Sequence, residues 1–380
     1  MVVIEWVRTS RSFGWRGDTI VVDARVSRLA EILVNDCTEV QAGETVQVRA
    51  YSEVAKPLVV EVYRQLLEKD AGEIVVRVEF EELREALLGE ASEERLGLFP
   101  KLGMHLAEHT DVYIQILASA NTKLLSSFPP SRVARWRASD AKVRAYLTDH
   151  SRWVVTLYPT PSGAQDAEMS IGQFEDFVFR AVDQDWAEVT RAQQKLKELF
   201  DAARELVIKG EDTHLSMDVG GRIFISADGK MNMPDGELFS GPVEDSVEGH
   251  ISFTYPAIFP AFGGREVEDV RLWFEAGRVV KATAAKGESY LLGMLDMDAG
   301  SRYVGEIGIG TNYKIDRFIK NILFDEKIGG TVHVALGRGY PETGSRNESG
   351  LHWDMIKDLR DGGEIYLDGM LVQRDGQWVL

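Results

Sequence analysis

The pattern of hydrophobic residues changes near residue 210, and this change constrains the possible folds more than any other feature of the chain. From Arg25 to about Lys209, helix-like and strand-like segments alternate along the sequence. After Glu211, glycines crowd together, the strand-like segments become short and long helical patterns almost vanish. Because a chain of 380 residues exceeds the usual size of a single hydrophobic core, we expect two domains that meet near this point.

The first half of the chain has the order of elements that is typical of a parallel sheet covered by helices. Apolar, β-branched runs predict strands over residues 45–51, 73–80, 111–117 and 153–157. Helical spacing and helix-forming residues predict helices over residues 57–67, 81–98, 132–147 and 173–206. We therefore predict an α/β domain with a largely parallel sheet at residues 25–210. Residues 1–24 show no clear periodicity and are predicted to form an N-terminal arm of undecided structure.

The second half favours short strands joined by glycine-rich turns. Strands are predicted over residues 214–219, 222–225, 249–253, 267–274 and 279–284. Gly-Gly pairs at 263–264, 329–330 and 362–363 permit bulges and tight turns between strands. We therefore predict a strand-rich α+β domain at residues 211–380.

Charge and cysteine content exclude several classes of function. The chain carries 43 Lys and Arg against 61 Asp and Glu, a formal net charge of −18, so neither nucleic acid nor an anionic membrane is expected as a partner. Cys37 is the only cysteine, which excludes an intrachain disulfide and a cysteine zinc site. No apolar run is long enough to span a membrane, and the first twenty residues are too charged for a signal peptide. We expect a cytoplasmic protein.

Two histidines in the first half have the spacing of a known zinc motif but lack its essential acid. His105 and His109 are four residues apart and would share a helix face. The HExxH arrangement needs a glutamate directly after the first histidine, and Leu106 occupies that position. We therefore interpret both as surface histidines.

The last third of the chain contains a denser set of carboxylates and imidazoles. Glu237 follows a Pro-Asp-Gly turn, which fixes the backbone from which its side chain projects. Glu306 lies in an apolar strand, where a buried carboxylate is costly unless a cation or a donor meets it. His333 lies in another apolar run, and His352 and Asp354 have period-two spacing, which places both on one face of a strand.

Each of these residues taken alone has an ordinary structural explanation. A single strand histidine is usually a hydrogen-bonded core residue, and a single glutamate usually caps a turn or pairs with an arginine. Taken together, carboxylates and imidazoles without thiolates suit a pair of divalent ions of the Zn, Co or Mn class, with carboxylates bridging the two ions. The implied reaction class is metal-assisted hydrolysis.

Three longer motifs give a more specific resemblance. Residues 305–312 (GEIGIGTN), 325–337 (DEKIGGTVHVALG) and 351–354 (LHWD) resemble the signature blocks of the aminopeptidase T and aminopeptidase S family of thermophilic-type metallo-aminopeptidases. Further matching segments are 158–161 (YPTP), 164–167 (AQDA), 174–178 (FEDFV), 233–239 (MPDGELF) and 363–366 (GEIY). The resemblance covers roughly residues 25–380.

The resemblance implies roles for individual residues. By it, two divalent metal ions are bound by Glu237, Glu306, His333, His352 and Asp354. Tyr340 would be a catalytic tyrosine that donates to the oxyanion, and Glu237 or Glu306 would accept the proton of the attacking water. Glu326 is a further candidate ligand, although Lys327 next to it equally suits an ion pair. The stretch from His333 to His352 is shorter than in the family, although both flanking motifs are kept.

The resemblance also implies the reaction and the assembly. It predicts an aminopeptidase that acts on peptides with a free N-terminus, and a homodimer whose catalytic domains face an enclosed cavity. One alternative is a ring-cleaving dioxygenase on a similar scaffold, with a single iron held by His333, His352 and Asp354. Another is a peptide-binding relative that has lost turnover. The presence of Glu237, Glu306 and Tyr340 favours the two-metal hydrolase over both.

Overall fold

The computed structural model describes residues 23–259 and 264–379. The helices of these residues are α1 (Ala24–Glu31), α2 (Lys56–Glu68), α3 (Glu81–Glu90), α4 (Glu93–Leu96), α5 (Lys101–Ala107), α6 (Pro130–Ser139), α7 (Ala141–His150), α8 (Pro161–Asp166), α9 (Ile171–Val182), α10 (Trp186–Ala202), α11 (Glu288–Leu295) and α12 (Ile322–Asp325). A π-helical turn, Ile32–Cys37, continues α1. Most of residues 1–24, the predicted arm, lie outside the described residues.

The strands fall into two groups along the chain. The first group is β1 (Val46–Ala50), β2 (Ile74–Val78), β3 (Val112–Leu117) and β4 (Arg152–Leu157). The second is β5 (Glu205–Gly210), β6 (Thr213–Asp218), β7 (Ile225–Ala227), β8 (Asn232–Met233), β9 (Glu237–Ser240), β10 (Glu248–Ser252), β11 (Ala257–Phe259), β12 (Arg265–Val267), β13 (Arg271–Glu275), β14 (Arg278–Thr283), β15 (Val304–Gly310), β16 (Thr331–Gly337), β17 (His352–Asp358), β18 (Glu364–Leu367), β19 (Met370–Arg374) and β20 (Gln377–Trp378).

The first half forms a parallel sheet with helices between its strands, as the sequence predicts. The strand order is β2-β1-β3-β4-β8, and every pairing in it is parallel. Apolar residues of β1 and β3, such as Val48 and Ile114, are completely buried beneath α1 and α2. Burial of both faces explains why these strands are nearly continuous apolar runs.

The second half is built from antiparallel strands. One sheet has eight strands in the order β14-β13-β10-β6-β5-β18-β19-β20, and another has five in the order β17-β16-β15-β9-β7. One large hydrophobic cluster, which includes Leu215, Ile307 and Trp353, packs between them. The fold class is therefore an α/β part with a parallel sheet followed by a strand-rich α+β part.

A short strand from the second part of the chain joins the parallel sheet of the first part. The two-residue strand β8 leaves the antiparallel region and pairs in parallel with β4, through Val155 with Asn232 and Thr156 with Met233. The Thr156 hydroxyl donates to the Met233 carbonyl at 2.7 Å. Only a short segment separates β8 from β9, which begins at Glu237. The pairing of β8 with the parallel sheet therefore fixes where the chain enters the antiparallel sheet that carries the candidate site. The domain limits at residues 24 and 210 stay a prediction.

Several predicted elements are interrupted where a polar side chain caps a new helix. The predicted helix over residues 81–98 ends at Glu90, and Ser92 caps α4 by accepting from the Arg95 amide. The predicted helical stretch 173–206 is broken at Asp185, which caps α10, and its last residues belong to β5. N-caps satisfy amides that a continuous helix would bond internally, so a well-placed Ser or Asp starts a new helix.

Three other predictions differ from the structure in detail. The helix predicted over residues 132–147 is two helices that meet at Asp140. The strand predicted over residues 222–225 starts at Ile225, because Arg222 lies in a turn where its guanidinium bonds Glu244 and the Gly344 carbonyl. The strand predicted over 267–274 is divided by a turn in which Asp269 has a φ of 54°. Such turns are fixed by distant contacts that local patterns do not contain.

Among the described residues, none of the helices has the length and apolar character needed to cross a membrane.

A buried asparagine joins three segments beside the candidate site. The Asn312 side chain is 3% exposed. Its amide nitrogen donates to the carbonyls of Asp235 at 2.8 Å and Ala181 at 3.3 Å, and its oxygen accepts from Gln184 at 3.0 Å. Asn312 thus holds α9, the segment that precedes β9 and the segment that follows β15 in fixed positions.

We predict that Asn312→Ala lowers the free energy of unfolding by about 2–3 kcal/mol, because it leaves several buried polar groups without partners. Urea unfolding followed by circular dichroism measures this difference. The matched control is Gln194→Ala on the exposed face of α10. Among the described residues, the Gln194 side chain bonds only Glu198, and a change within about 0.5 kcal/mol is expected. Equal stability of the Asn312 variant and the wild type would contradict the prediction.

Candidate metal centre

The strand register of the five-stranded sheet places the predicted site residues on one face. Paired residues of antiparallel strands share a face, and residues two apart along a strand do too. Glu306 on β15 and Asp354 on β17 both pair with Ala335 on β16. On β16, His333 and Gly337 lie two residues before and after Ala335. Gly337 pairs with His352, and His333 pairs with Gly308 of β15. Two residues further along β15, Gly310 pairs with Glu237 of β9. All five predicted ligands therefore point to the same side of the sheet.

Small residues between the ligands make the room that the cluster occupies. A Cβ atom on Gly308 would lie 2.0 Å from His333 Nε2, which no structure permits. Gly310, Ala335 and Gly337 are further small residues on this face. The opposite face carries large apolar side chains, such as Ile307 and Val334, that are fully buried in the core. The alternation of small and apolar residues thus fixes both the direction and the depth of the site.

Glu237, Glu306 and His333 form the first candidate group, and all three are buried. His333 Nε2 lies 3.0 Å from Glu306 Oε1 and 3.3 Å from Glu237 Oε2. Ligand atoms of the three residues all lie within 4.8 Å of one another. Two carboxylate oxygens therefore converge on a single imidazole nitrogen.

Glu306, His352 and Asp354 form the second candidate group. His352 Nε2 lies 3.6 Å from Glu306 Oε2 and 3.7 Å from Asp354 Oδ1. Glu306 belongs to both groups and offers one oxygen to each. This is the arrangement that a carboxylate bridging two ions requires.

Backbone carbonyls set the orientation of both imidazoles. His333 Nδ1 lies 3.0 Å from the Glu326 carbonyl, and His352 Nδ1 lies 2.7 Å from the Arg338 carbonyl. Since a carbonyl only accepts, each Nδ1 carries a hydrogen and donates it. In the neutral ring this leaves the Nε2 lone pair of each histidine directed at the carboxylates. A carbonyl on the second nitrogen is the usual support for a metal-binding histidine.

The cluster contains more negative than positive charge. Its carboxylates belong to Glu237, Glu306 and Asp354, and the Glu326 carboxylate lies beside them. Among the described residues, the only lysine that pairs with these carboxylates is Lys327, which is completely buried. Lys327 Nζ pairs with Glu326 and lies 3.3 Å from Glu237 Oε1. When both imidazoles are neutral and all four carboxylates are ionised, as cation binding requires, four carboxylates face one ammonium and three negative charges remain to be balanced. A buried excess of this kind is unstable without cations.

The pKa values respond to burial and to this crowding of charge. Burial raises the pKa of Glu237 to about 8, against the lowering effect of Lys327. Burial alone would lower the pKa of His333, but its hydrogen bond to Glu306 and the charge of Glu237 raise it to about 10. The carboxylates thus attract positive charge to His333 Nε2, which a proton or a metal ion supplies.

Tyr340 lies at the edge of the cluster. Its ring centre is 5.3 Å from that of His352 and 5.5 Å from that of Phe239. Burial, together with the charges of Glu306 and Asp354, raises the pKa of the phenol, which therefore keeps its proton. Within the described part of the chain its hydroxyl makes no hydrogen bond. The phenol is available as a donor.

One orphaned oxygen shows that the residues fit a metal ion. Glu237 Oε2 is buried and accepts no hydrogen bond from any described residue. An unpaired carboxylate oxygen in a protein interior carries a full desolvation cost. A cation bound among Glu237, Glu306 and His333 would remove that cost, and oxygen and imidazole donors suit divalent ions of the Zn, Co or Mn class.

A third group of potential ligands is different in character. His105, Glu108 and His109 on and after α5 also bring ligand atoms within 4.8 Å of one another, but all three are exposed. His109 Nδ1 donates to the His105 carbonyl, an ordinary helix contact. This agrees with the interpretation of both as surface histidines.

The structure brings together the five ligands that the resemblance implies, and it adds residues that the sequence did not single out. Glu326 lies beside the cluster in an ion pair with Lys327, which is the alternative raised for it from the sequence, and it is in neither group. The contact of Lys327 with Glu237 was missed. A lysine followed by the apolar, glycine-rich run IGGTVHVALG was the signal, because only a paired lysine is buried.

The comparison with protein families gives a match along nearly the whole chain. The family described as thermophilic metalloprotease (M29) matches residues 22–378. Aminopeptidase 2 of Geobacillus stearothermophilus is 26% identical over 93% of this chain and 95% of its own. Aminopeptidase T of Thermus thermophilus is 26% identical over 93% of this chain and 98% of its own.

Two solved structures share the fold. AmpT from Thermus thermophilus superimposes with a TM-score of 0.83 at 23% identity, covering 94% of this chain and 99% of that one. The 2,5-dihydroxypyridine dioxygenase from Pseudomonas putida superimposes with a TM-score of 0.57 at 16% identity, covering 94% of this chain and 97% of its own. At these identities the likeness shows the fold alone.

We predict that Gly308→Ala weakens binding of divalent ions at least about tenfold, because the new methyl group displaces the His333 ring. Isothermal titration with Zn²⁺ or Co²⁺ measures the affinity. The matched control is Gly293→Ala in α11, where no atom of a distant residue lies within 4 Å of the place that the new methyl group would take, and the affinity should match that of the wild type. Unchanged affinity in a folded Gly308 variant would show that His333 holds no ion.

Proposed function

This chain belongs to the thermophilic metalloprotease (M29) family, and we propose that it acts as a metallo-aminopeptidase that hydrolyses N-terminal residues from peptides with a water activated by two divalent metal ions. The overlap of the two candidate groups at Glu306 is the observation that carries this proposal. Membership of the family implies divalent metal. The number of ions and their Zn, Co or Mn class are proposed from the donor set and the excess of carboxylates.

We assign the metal ligands as Glu237, Glu306, His333, His352 and Asp354. Bound ions of this class lower the pKa of a water and polarise a carbonyl group. Glu306 would serve both ions, since each of its oxygens faces a different histidine. Glu326 is the weaker candidate as a ligand because Lys327 already holds its carboxylate.

The chain's own groups supply the proton transfers and the binding of substrate. A carboxylate of the cluster, Glu237 or Glu306, accepts the proton of the attacking water. The Tyr340 phenol keeps its proton, and its hydroxyl bonds none of the described residues. It donates to the oxyanion that develops on the scissile carbonyl. The acidic surroundings attract the positively charged α-amine of a peptide, which accounts for a preference for free N-termini.

A single-iron ring-cleaving dioxygenase is the alternative function. His333, His352 and Asp354 alone would provide two imidazoles and one carboxylate for an iron. The fold shared with the Pseudomonas putida dioxygenase is compatible with this alternative, at 16% identity. The two further buried carboxylates Glu237 and Glu306, and the metalloprotease match over residues 22–378, favour the hydrolase. Metal analysis and a peptide-hydrolysis assay also distinguish the hydrolase from a non-catalytic peptide-binding relative.

Two further proposals follow from the resemblance and the composition. We propose a homodimer whose catalytic domains face an enclosed cavity, which light scattering tests against twice the chain mass of 42.5 kDa. A cytoplasmic location is proposed from the single cysteine.

We predict that a chelator abolishes hydrolysis of aminoacyl substrates, that added divalent ions restore it, and that N-acetylated substrates are not cleaved. Mutation of a residue that only supports a metal ligand lowers metal affinity about 10- to 100-fold. His352→Ala removes a proposed ligand itself and should therefore lower the affinity by more than that. Metal analysis by mass spectrometry should find two ions per chain. His214→Ala, which removes an exposed histidine on β6, is the matched control. Undiminished turnover after complete removal of metal would refute the proposal.

We predict that Tyr340→Phe lowers kcat about 100- to 1,000-fold with little change in KM, the loss expected for one oxyanion donor. The variant should still bind metal, since the phenol is not among the assigned ligands. Tyr63→Phe removes a hydroxyl from an exposed tyrosine of α2 and is the control. A near-normal kcat in the Tyr340 variant would assign this ring to packing against Phe239 and His352.

A further inference from the structure

A second cavity lies at the carboxyl end of the parallel sheet, away from the metal-ligand cluster. It has a volume of about 220 Å³. Its walls include Tyr51, Ser119 and Leu157, from the ends of β1, β3 and β4, together with Arg84 of α3 and Lys320 of the second half. Ligands of parallel α/β sheets bind at this edge of the sheet. We call this space the carboxyl-edge cavity.

The carboxyl-edge cavity has a cationic wall in a strongly acidic protein. Arg84 and Lys320 line it together with the carboxylate of Asp166. Behind this wall, Glu266 pairs with Lys320, and Glu81 accepts from the Ser119 hydroxyl. The Arg84 side chain is 14% exposed and pairs with Glu79 at 2.6 Å. Its Nε hydrogen is buried and has no acceptor among the described residues. A buried guanidinium with an unused donor is a site for a planar anion.

Further arginines stand behind Arg84. The guanidinium of Arg49 lies 4.8 Å and that of Arg84 5.5 Å from the centre of the Tyr51 ring. Glu79 is shared between these two arginines. Arg137 forms no ion pair with any described residue, and burial followed by the charge of Arg144 lowers its pKa. One carboxylate, Glu79, thus balances only one of the two guanidinium charges that it contacts.

Lys320 connects the carboxyl-edge cavity with the metal centre. It also lines a smaller cavity of about 20 Å³, to which the proposed ligand Asp354 contributes. Its backbone has a φ of 62°, a conformation that a lysine adopts only when its surroundings impose it. The buried Asp325 carboxylate accepts from the Ile319 amide at 2.8 Å and so fixes this turn. The ammonium lies 3.2 Å from Glu266.

The strand order sets how far the cavity extends from β8. β8 lies next to β4 and leads within four residues to Glu237, so the metal centre and the carboxyl-edge cavity lie beyond the same edge. The end of β1, in the cavity wall farther from β8, is three strand spacings of about 4.8 Å, or roughly 14 Å, from β8. An extended peptide covers that distance with about four residues.

We propose that the carboxyl-edge cavity binds the carboxylate of a short peptide whose amino end lies at the metal centre, with Arg84 and Lys320 as the residues that recognise it. The site would thereby select peptides of about four residues that end in a carboxylate, from the C-terminus or from an acidic side chain, over longer peptides or peptides that lack this charge. The proposal rests on the aminopeptidase function and adds the substrate class to it.

The test compares the peptide Leu-Ala-Ala-Ala with its C-terminal amide. For the wild type we expect kcat/KM to be about tenfold higher for the acid, the gain of one charge-assisted contact. In Arg84→Gln this ratio should fall toward one, and Arg84→Lys should keep part of it. Lys320→Asn, which suits the backbone conformation at that position, should also reduce the ratio. Because the ratio compares two substrates on one variant, a general loss of stability does not change it.

Arg64→Gln is the matched control, since Arg64 lies on α2, is half-exposed and pairs only with Glu61 among the described residues. It should keep the wild-type ratio. The C-terminal amide of Leu-Ala-Ala-Asp identifies the source of the carboxylate, because its only carboxylate is the Asp side chain. If it is hydrolysed as fast as Leu-Ala-Ala-Ala, the cavity accepts an acidic side chain. If it is hydrolysed only as fast as the amide of Leu-Ala-Ala-Ala, the cavity requires the C-terminus. Either result supports carboxylate recognition.

A wild-type ratio of one, or a high ratio that survives both Arg84→Gln and Lys320→Asn, would overturn the carboxylate site while leaving the aminopeptidase function in place. If no peptide is hydrolysed, the aminopeptidase function fails instead. Calorimetric binding of Ala-Ala-Ala and its amide needs no turnover and tests the cavity separately. Tighter binding of the acid that is lost in Arg84→Gln supports the site, and equal binding of acid and amide refutes it.

Discussion

The structure of the second half depends on one electrostatic constraint, the convergence of buried carboxylates on a single sheet face. Glu237, Glu306 and Asp354 are brought within reach of His333 and His352 by strand register. Such a concentration of negative charge is costly in a protein interior unless cations balance it. Lys327 supplies one positive charge and holds Glu237 from the side away from the imidazole. The remaining negative charge is consistent with the divalent metal that the family implies.

Packing on both faces of the same sheet turns this constraint into a defined geometry. On the core side, large apolar side chains such as Ile307 and Trp353 leave no freedom for the strands to slip, because a slip of one residue would exchange the two faces. On the site side, Gly308 leaves the space that the His333 ring fills. Carbonyls of Glu326 and Arg338 then set the ring orientations. The backbone therefore preorganises both imidazoles toward the carboxylates.

The parallel sheet contributes position more than chemistry to this site. Through β8 it fixes the start of β9, and through Asn312 it is joined to the segment that follows β15. Its carboxyl edge also carries the cationic cavity around Arg84, so that acidic and basic sites lie beside the same edge. A peptide has a positive amino end and a negative carboxyl end, and this distribution of charge would orient it. The two halves thus cooperate although their sheets differ in type.

From the sequence alone, the alternation of elements identified the parallel sheet, and apolar strands interrupted by Glu306 and His333 identified the candidate site. Both inferences rest on local periodicity, which records the face that each residue buries. Periodicity carries no record of which distant strands pair. The two-residue strand β8 is too short to show a period, and the contacts of Lys327 with Glu237 and of Arg84 with Tyr51 join residues far apart in the chain. Tertiary structure alone decided these, because contact across such separations is set by strand register and by the packing of elements that are distant in the sequence.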